Sequence, residues 1–216
     1  MSDFRIKTCV LGMVSTNCYI IYREGNRQAI IVDPADHEDR ILEECRKLGV
    51  TPEAVLLTHG HFDHILAAEG LRRETGCRVY ASAEEAALLK DPDSNLSSRM
   101  GARAVSLSAD EEVKDGQQLS LLDWNWTVIA TPGHTAGSVC YYLTEEEVLI
   151  SGDTLFAESL GRTDLPTGNS GQIVRSICEK LFELPDDTMV YPGHGDPTSI
   201  GHEKQCNPVV PYWRKR

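Results

Sequence analysis

Long hydrophobic runs are missing from this chain of 216 residues: none approaches the ~20 apolar residues of a membrane-spanning helix. The start, MSDFRIKTCVLG, also lacks the basic and apolar regions of a secretory leader. The chain therefore reads as soluble and cytoplasmic, with no membrane partner. Positive charge is in deficit as well, 21 Lys and Arg against 33 Asp and Glu, for a net charge of −12. Phosphate backbones are bound through a basic footprint, so nucleic acid is not an expected partner. The one basic cluster, Arg214-Lys215-Arg216, reads as a solvated tail. The cysteines, Cys9, Cys18, Cys45, Cys77, Cys140, Cys178 and Cys206, are odd in number and contain no C-x-x-C pair. That argues against both a disulfide framework and a cysteine-based zinc ribbon, and most are expected to be reduced, several buried as small hydrophobes. There is no solenoid repeat, no low-complexity tract and no composition shift, so residues 1–216 are expected to form a single domain with a sizeable core.

What is present alternates between two periodicities. Phe4 to Leu11, Cys18 to Tyr22 and Ala29 to Val32 read as short strands separated by Gly or Asn turns. Asp36 to Leu48 places Ile41, Leu42, Cys45 and Leu48 on one helical face and stops at Gly49. A strand at Ala54 to Leu57, a helix at Ile65 to Glu74, a strand at Arg78 to Ala81 and a helix at Ala83 to Lys90 follow. Asp91 to Gly116 reads as a polar loop region holding at most one short strand. Strands return at Gln118 to Leu122 and Trp124 to Ala130, then as a hairpin of Cys140 to Leu143 with Val148 to Ser151. Gln172 to Leu184 reads as an amphipathic helix and Thr188 to Tyr191 as a last strand. The alternation predicts an α/β fold.

The densest chemistry sits in Thr58-His59-Gly60-His61-Phe62-Asp63-His64, four potential metal ligands within six residues. His59 and His61 are two apart, which sets both on one side of an extended segment, with Gly60 allowing a tight turn between them. Asp63 and His64 are adjacent and are expected to point in different directions, so four ligands here would most naturally serve two ions. A His-rich surface loop is the bland alternative, and the crowding weighs against it.

Three later segments share a grammar with this one. Trp126 to Thr131 leads into Pro132-Gly133-His134, Val148 to Ser151 into Gly152-Asp153, and Met189 to Tyr191 into Pro192-Gly193-His194. Each is an apolar strand ending in a Gly that precedes a potential ligand, and the crevice of an α/β sheet lies beyond the carboxyl ends of its strands. Singly, His134 could be a turn residue, Asp153 a cap and His194 a surface residue. Together they predict that His59, His61, Asp63, His64, His134, Asp153 and His194 meet. His37, near a helix start, and His202 lack the grammar and read as structural. Asp33 ends a strand but precedes Pro34, and is expected to fix a ligand His or loop by hydrogen bonding rather than bind metal.

On these residues the chain resembles the metallo-β-lactamase superfamily, whose motif is H-x-H-x-D-H. The resemblance spans nearly the whole chain and implies a four-layer αβ/βα sandwich. It also implies that His59, His61 and His134 hold one metal and Asp63, His64 and His194 a second, with Asp153 bridging. Asp153 stands where zinc β-lactamases of the common subclass place Cys, so antibiotic hydrolysis is not expected. The runs Leu149 to Phe156, Gly161-Arg162-Thr163-Asp164 and Pro192-Gly193-His194-Gly195 are similar to the glyoxalase II branch, the hydroxyacylglutathione hydrolases. Only Gly195 to Arg216 follow the last expected ligand, His194, too little for the helical glutathione-binding domain of the long enzymes, so the short bacterial type is the nearer likeness.

The function this implies is hydrolysis of an acyl thioester, S-lactoylglutathione or a related hydroxyacyl thioester, by a hydroxide shared between two divalent ions. Asp63 would orient that hydroxide, and the metals would stabilise the oxyanion. A leaving thiolate, with a thiol pKa of about 8.5, needs no dedicated acid, which suits a thioester better than an amide. Zinc is the expected metal, while nitrogen and oxygen ligands also accept iron or manganese. Arg162, a fork donor just past Asp153, is the candidate contact for a substrate carboxylate, with a structural salt bridge as the alternative. Competing readings are a persulfide dioxygenase with one iron, a lactonase or nuclease of the same fold, and a protein that binds metal only for structure. The oligomeric state is left unassigned.

Overall fold

Two six-stranded sheets carry the chain in the computed structural model, which describes residues 2–99 and 103–214. The first places β1 (Phe4–Leu11), β2 (Thr16–Arg23), β3 (Gln28–Val32), β4 (Thr51–Leu56), β5 (Arg78–Ser82) and β6 (Glu111–Val113) side by side in chain order. Its first three strands are antiparallel and its last four parallel. Parallel neighbours need crossovers, supplied here by α1 (Glu38–Leu48), the single turn α2 (Phe62–Ile65) with α3 (Ala68–Thr75), and α4 (Ala86–Lys90). In α1 the buried face is Ile41 and Cys45, acidic residues open the helix, basic ones close it, and Gly49 ends it at φ +74°.

The second sheet contains β7 (Gln118–Leu121), β8 (Trp124–Ala130), β9 (Val139–Leu143), β10 (Val148–Gly152), β13 (Met189–Pro192) and β14 (Thr198–Ser199), in the order β14-β13-β10-β9-β8-β7. Between β10 and β13 the chain forms a small hairpin, β11 (Leu155–Phe156) with β12 (Ser159–Leu160), and then α5 (Ser170–Glu179). It ends in α6 (Ile200–Cys206) and α7 (Val210–Trp213).

Strand alternation builds three cores between four layers. Along β2, Cys18 and Ile20 face Ile41, Cys45 and Leu71 of α1 and α3, while Tyr19 and Ile21 face the other sheet. There they join Ile30, Leu56, Trp126, Tyr141 and Ile150 in the core between the sheets. The far face of the second sheet packs Tyr142, Leu149 and Val190 against Ile173, Ile177, Phe182 and Ile200. Burying each such aliphatic or aromatic side chain contributes ~1.5–3 kcal/mol. The expected four-layer αβ/βα sandwich is thus what the chain forms.

Polar stitches lock the two sheets together at one edge. Tyr141 donates its hydroxyl to the Leu57 carbonyl at 2.9 Å, and Val139 N–H to the Thr58 carbonyl at 2.8 Å. Asn17 N–H donates to the Gly193 carbonyl at 2.7 Å, and the Tyr19 hydroxyl to Pro192 at 2.6 Å. These bonds fix the carboxyl ends of β4 and β13 against the opposite sheet.

Several expected boundaries shift. The helix expected over Ile65 to Glu74 is two pieces, because α2 ends at Ile65 and α3 begins at Ala68. The helix over Ala83 to Lys90 opens as a 3₁₀ turn at Ala83–Glu85, and that over Gln172 to Leu184 closes in one at Leu181–Glu183. Within the Asp91 to Gly116 region the short strand is β6. Of the terminal basic cluster, Lys215 and Arg216 lie outside the described residues. Among the described residues no helix is long and apolar enough to cross a membrane.

Candidate metal centre

All seven residues singled out by the strand-end grammar converge. β4 delivers His59 and His61, the turn α2 delivers Asp63 and His64, and His134, Asp153 and His194 follow β8, β10 and β13. His61 Nδ1 lies 2.9 Å from His134 Nε2, and the His59 ring stands edge-on to both, with centroids 4.9 and 4.7 Å away. A second set forms around Asp63, whose Oδ2 is 3.3 Å from both His64 Nε2 and His194 Nε2. Asp153 joins the two, its Oδ2 being 3.5 Å from His134 Nε2 and 3.6 Å from His194 Nε2 while Oδ1 is 3.5 Å from His64 Nε2.

One local expectation is corrected. Adjacent residues were expected to diverge, yet Asp63 and His64 aim at one point. Both sit on the single helical turn α2, where neighbouring Cβ atoms spread around the axis, and the longer imidazole reaches back to the carboxylate.

The donor set fits a divalent cation. His59 Nε2, His61 Nε2, His64 Nε2 and Asp153 Oδ1 are buried without a hydrogen-bond partner, which is costly for polar atoms unless an ion or water satisfies them. Burial holds the His59, His61 and His134 rings below their ordinary range, His61 at about 3, so all three present lone pairs at neutral pH. Against its burial, His64 is raised by Asp63, Asp153 and Asp33, and His194 is raised by Asp63 and Asp153. Burial alone would raise Asp63, but His64 and His194 hold it well below the carboxylate range. Two ligand-spaced groups follow, His59, His61 and His134 in one and Asp63, His64 and His194 in the other.

Supporting bonds orient the rings. Asp33 takes the Thr58 N–H at 2.8 Å and the Thr58 hydroxyl at 2.7 Å, and sits 2.9 Å from His64 Nδ1. His134 Nδ1 is 2.8 Å from the Arg162 carbonyl, and Thr16 donates to Asp63 at 2.9 Å. Asp33 is buried and also lies within ligand reach of His59 and His64, but its carboxylate is occupied by Thr58.

Glu85 escaped the sequence reading. Its buried carboxylate accepts from Gly60 N–H at 2.9 Å, Gly137 N–H at 2.7 Å and the Thr135 hydroxyl at 2.7 Å, tying the His59–His61 loop to the His134 loop. No motif could reveal it, because two of its three donors are backbone groups distant in sequence.

A cavity of about 230 Å³ opens over the centre, lined by Asp63, Asp153, His134 and His194, by Val14, Phe62, Leu96 and Leu165, and by Arg162. Arg162 reaches the rim, where its guanidinium is paired with Asp164 through two contacts of 2.8 Å. His37 sits on the surface at the start of α1, as expected, without a side-chain hydrogen bond to the helix.

The family model described as the metallo-beta-lactamase superfamily matches residues 11–194. An uncharacterised protein of Mycobacterium leprae is 41% identical over 92% of this chain and 95% of its own length. The hydroxyacylglutathione hydrolase GloC of Haemophilus influenzae is 33% identical over 90% of this chain and 92% of its own. Among solved structures, the BLEG-1 B3 metallo-beta-lactamase superposes with a TM-score of 0.90 at 38% identity, covering 95% of this chain and 99% of its own. The protein TTHA1623, solved in a di-iron-bound form, gives 0.84 at 30% identity, covering 94% and 98%.

Proposed function

The chain belongs to the metallo-β-lactamase superfamily, and from that premise we propose that it is a dinuclear metal-dependent hydrolase of acyl thioesters, S-lactoylglutathione or a related hydroxyacyl thioester. The observation that carries this reading is the meeting of seven ligand side chains, with buried nitrogens that no hydrogen bond satisfies, at the floor of an open cavity. Bound divalent ions, zinc by the nitrogen and oxygen donor set and iron as the chief rival, supply Lewis acidity to the carbonyl and lower the pKa of water.

The protein groups do the rest. Asp63 stays ionised because His64 and His194 flank it, and Thr16 fixes its orientation, so it accepts a hydrogen bond from the attacking water and aims it. Val14, Phe62, Leu96 and Leu165 give the cavity an apolar side that suits an acyl chain and sheds water from the carbonyl. No histidine remains for a Ser/His/Asp triad: five lie at the centre, while His37 and His202 are on the surface. Among the described residues no carboxylic acid besides Asp63 and Asp153 lines the cavity, which favours a leaving group that departs as a thiolate. The 33% identity to a hydroxyacylglutathione hydrolase supports the same substrate class.

A second substrate class comes from the 38% identity to a structure described as a B3 metallo-beta-lactamase. Asp153 in the place of Cys sets this chain apart only from the common subclass, and so does not separate it from BLEG-1. The test is a panel of acyl thioesters, a β-lactam, a lactone and glutathione persulfide, run on chain of known metal content. Thioester cleavage at the highest kcat/KM is expected. A preference for the β-lactam or lactone, or oxygen uptake on the persulfide with one iron per chain, would overturn the reading.

A further inference from the structure

A second cluster of metal-binding side chains lies on the surface, away from the residues that line the cavity. Glu158 sits at the turn of the β11–β12 hairpin, and His202 and Cys206 are one helical turn apart on α6. His202 Nε2 is 3.0 Å from Glu158 Oε1, and one ligand atom from each of Glu158, His202 and Cys206 lies within 4.8 Å of the others.

The framework beneath these three is fixed rather than loose. Glu203, fully buried, accepts the Glu158 N–H with both carboxylate oxygens, at 3.1 and 3.0 Å, and holds Thr198 and Asn207 as well. This seats the hairpin turn on α6. The Ser199 hydroxyl takes the His202 N–H at 3.2 Å and so caps the first turn that carries the imidazole. The backbones of Glu158 and His202 are thereby placed without help from the side chains they present.

We propose that Glu158, His202 and Cys206 form a second, surface site for a divalent transition ion of the zinc class. A thiolate with imidazole selects zinc, cobalt or copper over magnesium and calcium, and a carboxylate completes three ligands with room for water. On binding, the Cys206 S–H proton is released to solvent as the sulfur–metal bond forms; no oxidant or reductant is involved. The ion clamps the β11–β12 hairpin to α6. That hairpin carries Phe156, whose ring is 6.2 Å from the His194 ring, so the clamp steadies a neighbour of the catalytic cavity. His202, which reads from sequence as structural, becomes a ligand.

Cobalt isolates this site, because the ligand set of the catalytic centre contains no sulfur. Cobalt titration of the chelated full chain is expected to give thiolate-to-metal charge-transfer absorption in the near ultraviolet. The band should vanish in Cys206→Ser, which retains the wild-type hydrolytic activity, and should need at least ~10-fold more cobalt in His202→Ala and in Glu158→Gln. A wild-type chain with no band, a band that survives in Cys206→Ser, or a cobalt dependence unchanged in either ligand variant would overturn the site.

Discussion

Asp33 Oδ2 lies 2.9 Å from His64 Nδ1 while the same carboxylate receives both the N–H and the hydroxyl of Thr58. One buried side chain thus sets the imidazole at one metal group and the entry to the loop bearing the other. Its role follows from position: Asp33 comes directly after β3, the neighbour of β4, and its backbone is held in the left-handed region at φ +47°. Asp33→Ala is expected to weaken metal retention by ~10–100-fold, the usual effect of losing a hydrogen bond that orients a ligand. Competition with a chelator measures this, and unchanged retention would deny Asp33 that role.

Glu85 gives the second prediction. Glu85→Ala strands two buried N–H groups, each costing ~1–3 kcal/mol when left unsatisfied, and leaves the Thr135 hydroxyl with Ser138 as its partner. The expected loss is at least ~2 kcal/mol, or a fall in Tm of roughly 4–8 °C for a domain of this size. Thermal unfolding of the metal-loaded variant reads it directly. A shift within a degree of wild type would show that the loops are held by other contacts.

The third prediction concerns close packing behind the centre. A Cβ on Gly193 would fall 2.2 Å from Asp153 Oδ1 and 2.8 Å from His64 Cε1, so Gly193→Ala must displace ligands and should abolish metal binding. Gly76 is a suitable control: its φ is +73° with nothing within 4 Å of a Cβ. Gly76→Ala should cost about 1 kcal/mol of backbone strain and leave activity intact. Elemental analysis of both purified variants distinguishes the two outcomes, and full metal content in Gly193→Ala would contradict the packing.

Arg162 supplies the fourth. Its pair with Asp164 is well exposed, 62% and 67%, so Arg162→Ala should leave stability nearly unchanged. If the guanidinium turns from Asp164 to a substrate carboxylate, KM rises by about tenfold with kcat little changed, the pattern of lost uniform binding. Steady-state kinetics with a carboxylate-bearing thioester decides it, and an unchanged KM would leave Arg162 as a salt-bridge partner alone.

The centre was legible because its ligands obey a local rule, strand, glycine, ligand, that survives without knowledge of the pairing. Asp33 was legible for the same reason, as a carboxylate at a strand end. What escaped obeys no local rule. Glu85 reads as part of an ordinary helix, and only the fold shows its carboxylate buried between loops that start 25 and 52 residues away. The strands β11, β12 and β14 are two residues each, too short for any alternation. The helix α6 carries Gly201 inside it, and Pro208 and Pro211 follow closely, so sequence propensity hides what burial of Ile200 and Glu203 enforces. The same burial brings His202 beside Glu158, a pairing with no trace in the spacing.

The central claim is that the two ligand groups, once filled, cleave a thioester. The direct measurement is the rate of S-lactoylglutathione hydrolysis by the metal-loaded chain, by the chelated chain, and by the chelated chain after zinc is restored. A kcat/KM on the order of 10⁴ M⁻¹s⁻¹ or more is expected for the loaded chain, with loss on chelation and recovery on reloading. A fully loaded chain that leaves this and every other acyl thioester intact would contradict the account.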